Sequence, residues 1–254
     1  MIDDRFEDRV PSARNAFEIF KDQWSSNIPA FGLGIADLFN DSRLHYFDQE
    51  IGGFAGKRVI ELGPLEGGHT YMMSLLGASE ILSIEANKNA YLKCLVIKET
   101  FGINAKFFLG DFCKFLAESP PRVDVILASG VLYHMVDPLA LIRSLTRSAD
   151  AICVWTHYYD EAIIRPNENL CRKFNPVAET IEFEGRSIEL CEQSYLSDPE
   201  WKGYAGGMEK NSFWITRTGI IEAFAACSFD VSVGPEHPNH PNGPAFTFVA
   251  RRRR

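Results

Sequence analysis

An open α/β sheet, mostly parallel and with helices on both faces, is the fold class predicted for this chain of 254 residues. Two observations predict it. From Lys57 onward, short apolar runs of strand length alternate with stretches of helical spacing, the pattern of parallel strands joined by crossover helices. The first run, Arg58-Val59-Ile60-Glu61-Leu62, enters a glycine-bearing turn, Gly63-Pro64-Leu65-Glu66-Gly67, and a helix leaves it; the next run, Ile81-Leu82-Ser83-Ile84, closes on Glu85. An acidic residue about 20 positions beyond such a turn is the layout of a ribose-binding βαβ unit.

The elements follow in order. Residues 1–55 have helical patterning: Ala16, Phe17, Ile19, Phe20 and Trp24 cluster at helix-compatible spacing before Pro29, and a second helix is expected over 37–50. The core then reads as strand 58–62, helix 67–76, strand 80–85, helix 88–101, strand 105–109, helix 112–118, strand 123–128, helix 137–148 and strand 150–156. Between Tyr158 and Ser212 the regularity breaks at Pro166, Pro176, Pro199 and Gly206-Gly207. A hairpin is expected within that stretch, from 179–184 to 187–191 across a Gly185-Arg186 turn. So long a segment in a compact domain implies an insertion with structure of its own, a cap over the site. A helix over 216–227, capped by Thr216 or Ser212, and strands 229–233 and 245–251 complete the chain. The expected organisation is an N-terminal helical lid over 1–55 and one α/β domain over 56–254, with 158–212 as its cap.

Composition narrows the function. Hydrophobic content of 46% with 24% charged residues is that of a globular protein. No apolar stretch approaches the roughly 20 residues that span a bilayer, and the first residues lack a signal-peptide pattern, so a cytoplasmic protein without a membrane partner is expected. Cys94, Cys113, Cys153, Cys171, Cys191 and Cys227 lie far apart with no C-x-x-C pair, which suggests reduced structural thiols. A net charge of −8 repels a phosphate backbone and disfavours nucleic acid as a partner. The single basic run, Arg251 to Arg254, reads as a solvated tail. A small-molecule substrate is the expected partner, and a second copy of the chain is an admissible one.

The spacing of the turn selects the cofactor. Three glycines as G-x-G-x-x-G would mark a dinucleotide, whereas Glu61-x-Gly63-x-x-x-Gly67 resembles motif I of the class I S-adenosylmethionine-dependent methyltransferases. The two C-terminal strands resemble the antiparallel pair that ends that family's seven-stranded Rossmann-like sheet, so the resemblance covers roughly residues 57–254. It implies S-adenosylmethionine as cofactor. Gly63 and Gly67 would let the backbone approach the methionine moiety, Glu61 would lie under the turn near the cofactor's amino group, and Glu85 would accept both ribose hydroxyls. Asp111 with Phe112 would hold and cover the adenine, although Asp111 is equally a good N-cap for the helix that follows. Pro64 and Glu66 depart from the small residues usual in the motif.

Downstream of the fourth strand, Gly130-Val131-Leu132-Tyr133-His134 with Pro138 is similar to a segment of the tRNA wobble-uridine carboxymethyltransferase and of many bacterial small-molecule methyltransferases. No Asn/Asp-Pro-Pro-Tyr motif for exocyclic amines or amides is present. A hydroxyl acceptor must lose a proton on methylation. His134 and His157, at the ends of strands four and five, are the candidate bases. Tyr133 and Tyr158 are candidate substrate residues. So are Glu209 and Asn211, in a run similar to the G-x-E-x-x-S-x-W-x-x-R of related bacterial enzymes. His157, Asp160 and Glu161 have no diagnostic metal spacing, and the loop from His237 to Pro241 reads as a rigid connector; no metal is expected. The implied activity is O-methylation of a small metabolite. Its rivals are a tRNA uridine-modifying enzyme and a non-catalytic binding protein of the same fold.

Overall fold

The computed structural model describes residues 6–118, 122–197 and 206–254. Seven strands form the central sheet, β1 (Arg58–Leu62), β2 (Glu80–Glu85), β3 (Lys106–Leu109), β4 (Val123–Ser129), β5 (Ala149–His157), β9 (Phe229–His237) and β10 (Ala245–Arg252), in the order β3-β2-β1-β4-β5-β10-β9. Neighbours are parallel from β3 to β5, and β10 runs antiparallel to both β5 and β9. The strand order reverses between β1 and β4, which is where open α/β sheets bind ligands.

Helices α3 (Gly68–Leu75), α4 (Lys88–Phe101), α5 (Phe112–Ala117), α6 (Pro138–Ser148) and α9 (Arg217–Ala226) cover the two faces. Their ends match local chemistry. Asn87 caps α4 by accepting the amides of Asn89 and Ala90, and Gly102 stops it at φ +63°. Thr216, rather than Ser212, caps α9 by accepting from Gly219. Because side chains alternate along a strand, β5 sends Cys153 to one core layer and Ile152 and Val154 to the other.

The first layer is built with the N-terminal segment, where Phe17, Leu44, Phe47 and Phe54 are buried. The helix expected around residues 16–24 is only the short α1 (Ala13–Glu18). The chain turns through Asp22 at φ +61°, and Trp24 donates its indole N–H back to the Phe17 carbonyl at 3.0 Å. Phe17, Phe20 and Trp24 therefore converge through a turn while Ile19 is left exposed. The expected helix 37–50 is likewise divided into a single 3-10 turn over Leu38–Asn40 and α2 (Ser42–Glu50), with Asp41 capping α2.

After β5 come α7 (Glu161–Ile164), α8 (Glu168–Cys171) and a separate antiparallel sheet of β6 (Glu179–Phe183), β7 (Arg186–Ser194) and β8 (Asn211–Ile215). The hairpin forms one residue away from its expected turn. Glu184 and Gly185, at φ +48° and +76°, are the two turn residues, and Arg186 already pairs with Phe183. A two-residue turn with both central φ values positive matches the twist of its strands. Residues 198–205, part of the expected cap, lie outside the described residues.

Of the C-terminal arginines only Arg254 fits the expected solvated tail; Arg251 to Arg253 are engaged. Arg251 reaches the Glu50 carboxylate at 3.1 Å and Ser232 at 3.2 Å, Arg252 donates to the Ala149 carbonyl at 3.0 Å, and Arg253 pairs with Asp230 at 2.7 Å. β10 continues through Arg252, so these side chains are fixed by the ladder. Among the described residues no helix is long and apolar enough to cross a membrane.

Candidate active site

The glycine turn after β1 is made by Gly63 at φ +64° and Gly67 at φ +77°, with Leu65 also left-handed at +55°. A Cβ on Gly63 would stand 3.0 Å from Cγ1 of Val131, so the turn abuts the loop after β4. Beneath it Glu61 is buried and accepts hydrogen bonds from the Thr70 hydroxyl and, at 2.9 Å, from the Ser83 hydroxyl; burial pushes its pKa up. Glu85 closes β2 with one carboxylate oxygen accepting the Leu65 amide at 3.1 Å and the other the Asn87 amide at 2.8 Å. The Ala86 amide also faces the carboxylate, which has about four acceptor sites and so keeps capacity for a further donor. Burial raises the pKa of Glu85 too.

Asp111 caps α5, its Oδ1 accepting from Cys113 at 2.8 Å, and half-buried Phe112 starts that helix against the core. The capping use of Asp111 is thus realised, and Oδ2 makes only a 3.9 Å approach to Lys114. Two further observations fit a nucleoside here. The position of a Cβ on Gly110, directly after β3, has no atom within 4 Å, and the Ser129 hydroxyl at the end of β4 is buried without a partner among the described residues. Open space, an unpaired hydroxyl and two carboxylates thus lie at the carboxyl ends of β2, β3 and β4.

Beside this lies a cluster of aromatic and histidine rings at the end of β5. The His157 ring stacks on Trp214 at 4.9 Å and 7°, and meets Tyr133 edge-on at 4.6 Å and Trp155 at 5.0 Å. Its Nδ1 lies 2.9 Å from the Gly243 carbonyl oxygen. A carbonyl only accepts, so Nδ1 carries the proton and Nε2 holds the lone pair. His134, whose ring is 4.1 Å from Tyr133, pairs through Nδ1 with the Tyr195 hydroxyl. Burial pushes His134 down to about 3 and His157 down to about 4, with the neighbouring histidines adding to both effects. Both rings are therefore neutral at physiological pH.

The other expected substrate residues are placed differently. Tyr158 follows His157 and turns to the opposite face, where its buried ring packs edge-on to Phe246 at 5.5 Å; it is a core residue. Asn211 is exposed at the start of β8 and donates to Glu192 at 2.7 Å, and Glu209 is exposed. Their run nevertheless passes the site, since a Cβ on Gly207 would stand 2.6 Å from the His134 carbonyl oxygen. Asp160 caps α7 through the Ala162 amide. Among the described residues no three His, Cys, Asp or Glu side chains are grouped to hold a metal.

Several residues of the site escape sequence reasoning. Arg43 of α2 places its guanidinium 4.6 Å from the Trp155 ring, held by Asp41, which also accepts from His69 of α3 at 2.8 Å. These two partners hold the Asp41 carboxyl well below the usual range despite its burial. Nothing in the sequence joins α2 to β5. His240 had a signal: a last strand antiparallel to β5 must begin beside the end of β5, and Ala245 pairs with His157. The loop before it therefore returns to the site, and the His240 ring lies 5.0 Å from His157.

No protein-family model matches the chain. A segment of 108 residues, 42% of this chain, is 27% identical to ubiquinone biosynthesis O-methyltransferase of Proteus mirabilis (strain HI4320), and the match spans 44% of that protein, less than half of its length. Among solved structures, the N-terminal domain of EvdMO1 in the presence of SAH (S-adenosylhomocysteine) and D-fucose superposes with a TM-score of 0.69 at 23% identity, covering 95% of each chain. Magnesium protoporphyrin IX methyltransferase (ChlM) from Synechocystis PCC 6803 with bound SAH gives a TM-score of 0.56 at 14% identity, covering 84% of this chain and 81% of that one.

Proposed function

Because the chain has the fold of the class I S-adenosylmethionine-dependent methyltransferases, we propose that it transfers a methyl group from S-adenosylmethionine to a hydroxyl of a small neutral acceptor, with His157 as the base. The carrying observation is the 2.9 Å contact of His157 Nδ1 with the Gly243 carbonyl, which puts the proton on Nδ1 and leaves Nε2 as a proton acceptor. A chain of contacts joins it to the glycine turn, from Gly63 to Val131 and, two residues on, from Tyr133 to His157.

When bound, S-adenosylmethionine would supply an electrophilic methyl and depart as S-adenosylhomocysteine. Glu85, and Asp111 through Oδ2, would hold its ribose and adenine, with Glu61 fixing the turn from below. The acceptor proton passes to Nε2 of His157. With its pKa near 4 this imidazole is a weak base, so the proton leaves as the oxygen bonds to carbon and not before.

The surroundings suit a neutral acceptor. Arg43 is paired with Asp41, and the histidines and aromatics facing the cluster are uncharged. The superposable EvdMO1 domain, in the presence of D-fucose, supports a sugar-ring hydroxyl as the class of acceptor. A tRNA substrate is less favoured, since three of the four arginines of the one basic run, Arg251 to Arg253, are engaged in ion pairs.

Calorimetry with S-adenosylhomocysteine, followed by mass spectrometry of sugar and phenol panels incubated with S-adenosylmethionine, tests the reading. His157→Ala is expected to lower the transfer rate about 10²- to 10⁴-fold with cofactor affinity retained. No affinity for S-adenosylhomocysteine would remove the cofactor assignment, and an unchanged rate in the variant would remove the base.

A further inference from the structure

The geometry points to His240 as an acceptor-binding residue that holds, through Nε2–H, a second hydroxyl next to the one His157 deprotonates. The site would then select an acceptor with two adjacent hydroxyls on a ring. This inference rests on the sugar-hydroxyl reading above and sharpens it.

His240 and His157 are neighbours of opposite polarity. The Asn242 amide donates to Nδ1 of His240 at 3.2 Å, so in the neutral ring the proton sits on Nε2. In His157 the Gly243 carbonyl fixes the reverse arrangement, with the proton on Nδ1 and Nε2 open. The two rings are 5.0 Å apart at 63°, and His240 also lies 5.8 Å from Trp155. One ring thus offers a donor and its neighbour an acceptor. A lone phenolic hydroxyl satisfies only His157, whereas a vicinal diol donates from one oxygen to His157 and accepts on the other from His240.

The loop that presents His240 is held against the site. Gly243 has φ +115°, and a Cβ there would stand 2.7 Å from Cζ3 of Trp214, so the loop lies directly on the indole that stacks with His157. Residues 240 to 243 form a single turn, with the Gly243 amide donating to the His240 carbonyl at 2.9 Å. Fixing His157 and presenting His240 are therefore done by the same four residues. His240 is half-buried, which leaves an edge open to an incoming molecule. It exchanges no proton in the transfer; its part is to orient the acceptor so that the oxygen facing His157 is the one methylated.

The test uses the full chain with ¹⁵N-labelled histidine, saturated with S-adenosylhomocysteine and titrated with D-fucose. Side-chain ¹H–¹⁵N spectra are expected to show the proton on Nε2 of His240 and on Nδ1 of His157, with both signals moving on titration. His240→Phe, which keeps a ring and loses the donor, should weaken D-fucose about tenfold, while His240→Asn, which restores an N–H, should recover most of that loss. S-adenosylhomocysteine affinity in both variants should stay at the wild-type value, which also reports that they fold. A proton on Nδ1 of His240, or equal D-fucose affinity in wild type and His240→Phe, overturns the proposal. Retained S-adenosylhomocysteine binding with no movement of either histidine overturns it together with the sugar reading, leaving the cofactor assignment intact. Loss of S-adenosylhomocysteine binding by the wild type is the distinct failure of that assignment.

Discussion

Glu66 and Lys93 form a buried ion pair at 2.8 Å across the glycine turn, with the Glu66 carboxylate fully excluded from solvent. The same carboxylate accepts the backbone amides of Ser25 at 3.0 Å and Ser26 at 2.8 Å, while Lys93 donates to the Gln23 carbonyl and lies 5.4 Å from the Trp24 ring. The residue that departs from the motif thus joins the turn, α4 and the N-terminal segment at one point.

Removing one partner leaves the other charge buried and unpaired, which typically costs about 3 to 5 kcal/mol. Glu66→Gln and Lys93→Met are each expected to destabilise the fold by that order in denaturant titrations. The double variant should lose less than the sum of the two. Additive losses would mean that the pair is not coupled.

Glu85 tests the cofactor side separately. Its oxygens are held by the Leu65 and Asn87 amides, and a ligand hydroxyl would bind their remaining lone pairs. Glu85→Gln keeps the shape but removes the charge and turns an NH2 toward one of these two amides, so S-adenosylhomocysteine affinity should fall about 10- to 100-fold by calorimetry. Wild-type affinity would place the ribose elsewhere.

How far the sequence reveals this site follows from the range of its contacts. Glu61, Gly63, Gly67 and Glu85 belong to one βαβ unit, where spacing along the chain fixes spacing in space, so their convergence is legible. His157 is legible as the end of a parallel strand, which ligands approach, whereas His134 lies beyond β4 in a 3-10 turn over Leu132–His134. Tyr158 stands apart from the expected substrate side because strand alternation turns it to the Phe246 face while His157 stays with Trp214. Arg43, Glu66 and Lys93 depend on how the N-terminal segment lies across the sheet, and no periodicity encodes that. β8 escaped because its strand character arises from pairing with β7, where Trp214 lies opposite Cys191.

Gly243 joins backbone conformation to the His157 tautomer. At φ +115° a side chain is strained, and its Cβ would press on Trp214. Gly243→Ala is expected to cost about 1 to 3 kcal/mol and to displace the carbonyl that sets the His157 tautomer. Transfer should fall while S-adenosylhomocysteine affinity holds; parallel loss of both would indicate a general collapse of the fold.

The histidines also give the protein a pH-dependent stability. His157 has its pKa lowered from an ordinary 6.5 to about 4, and His134 to about 3. Between these values and 6.5 the unfolded chain binds protons that the folded chain refuses. Stability therefore rises with pH through that window, is complete above about pH 6.5, and is lost as pH falls toward 4. His157 alone should account for about 2 to 3 kcal/mol between roughly pH 7.5 and pH 4.5. Activity should fall over a narrower range near the His157 pKa, because protonated Nε2 takes no proton from the acceptor. Urea titrations across this range compare the wild type with His157→Phe, which keeps a ring against Trp214 without a titrating group. A shallower slope in the variant is expected, and identical slopes would place the proton uptake outside His157.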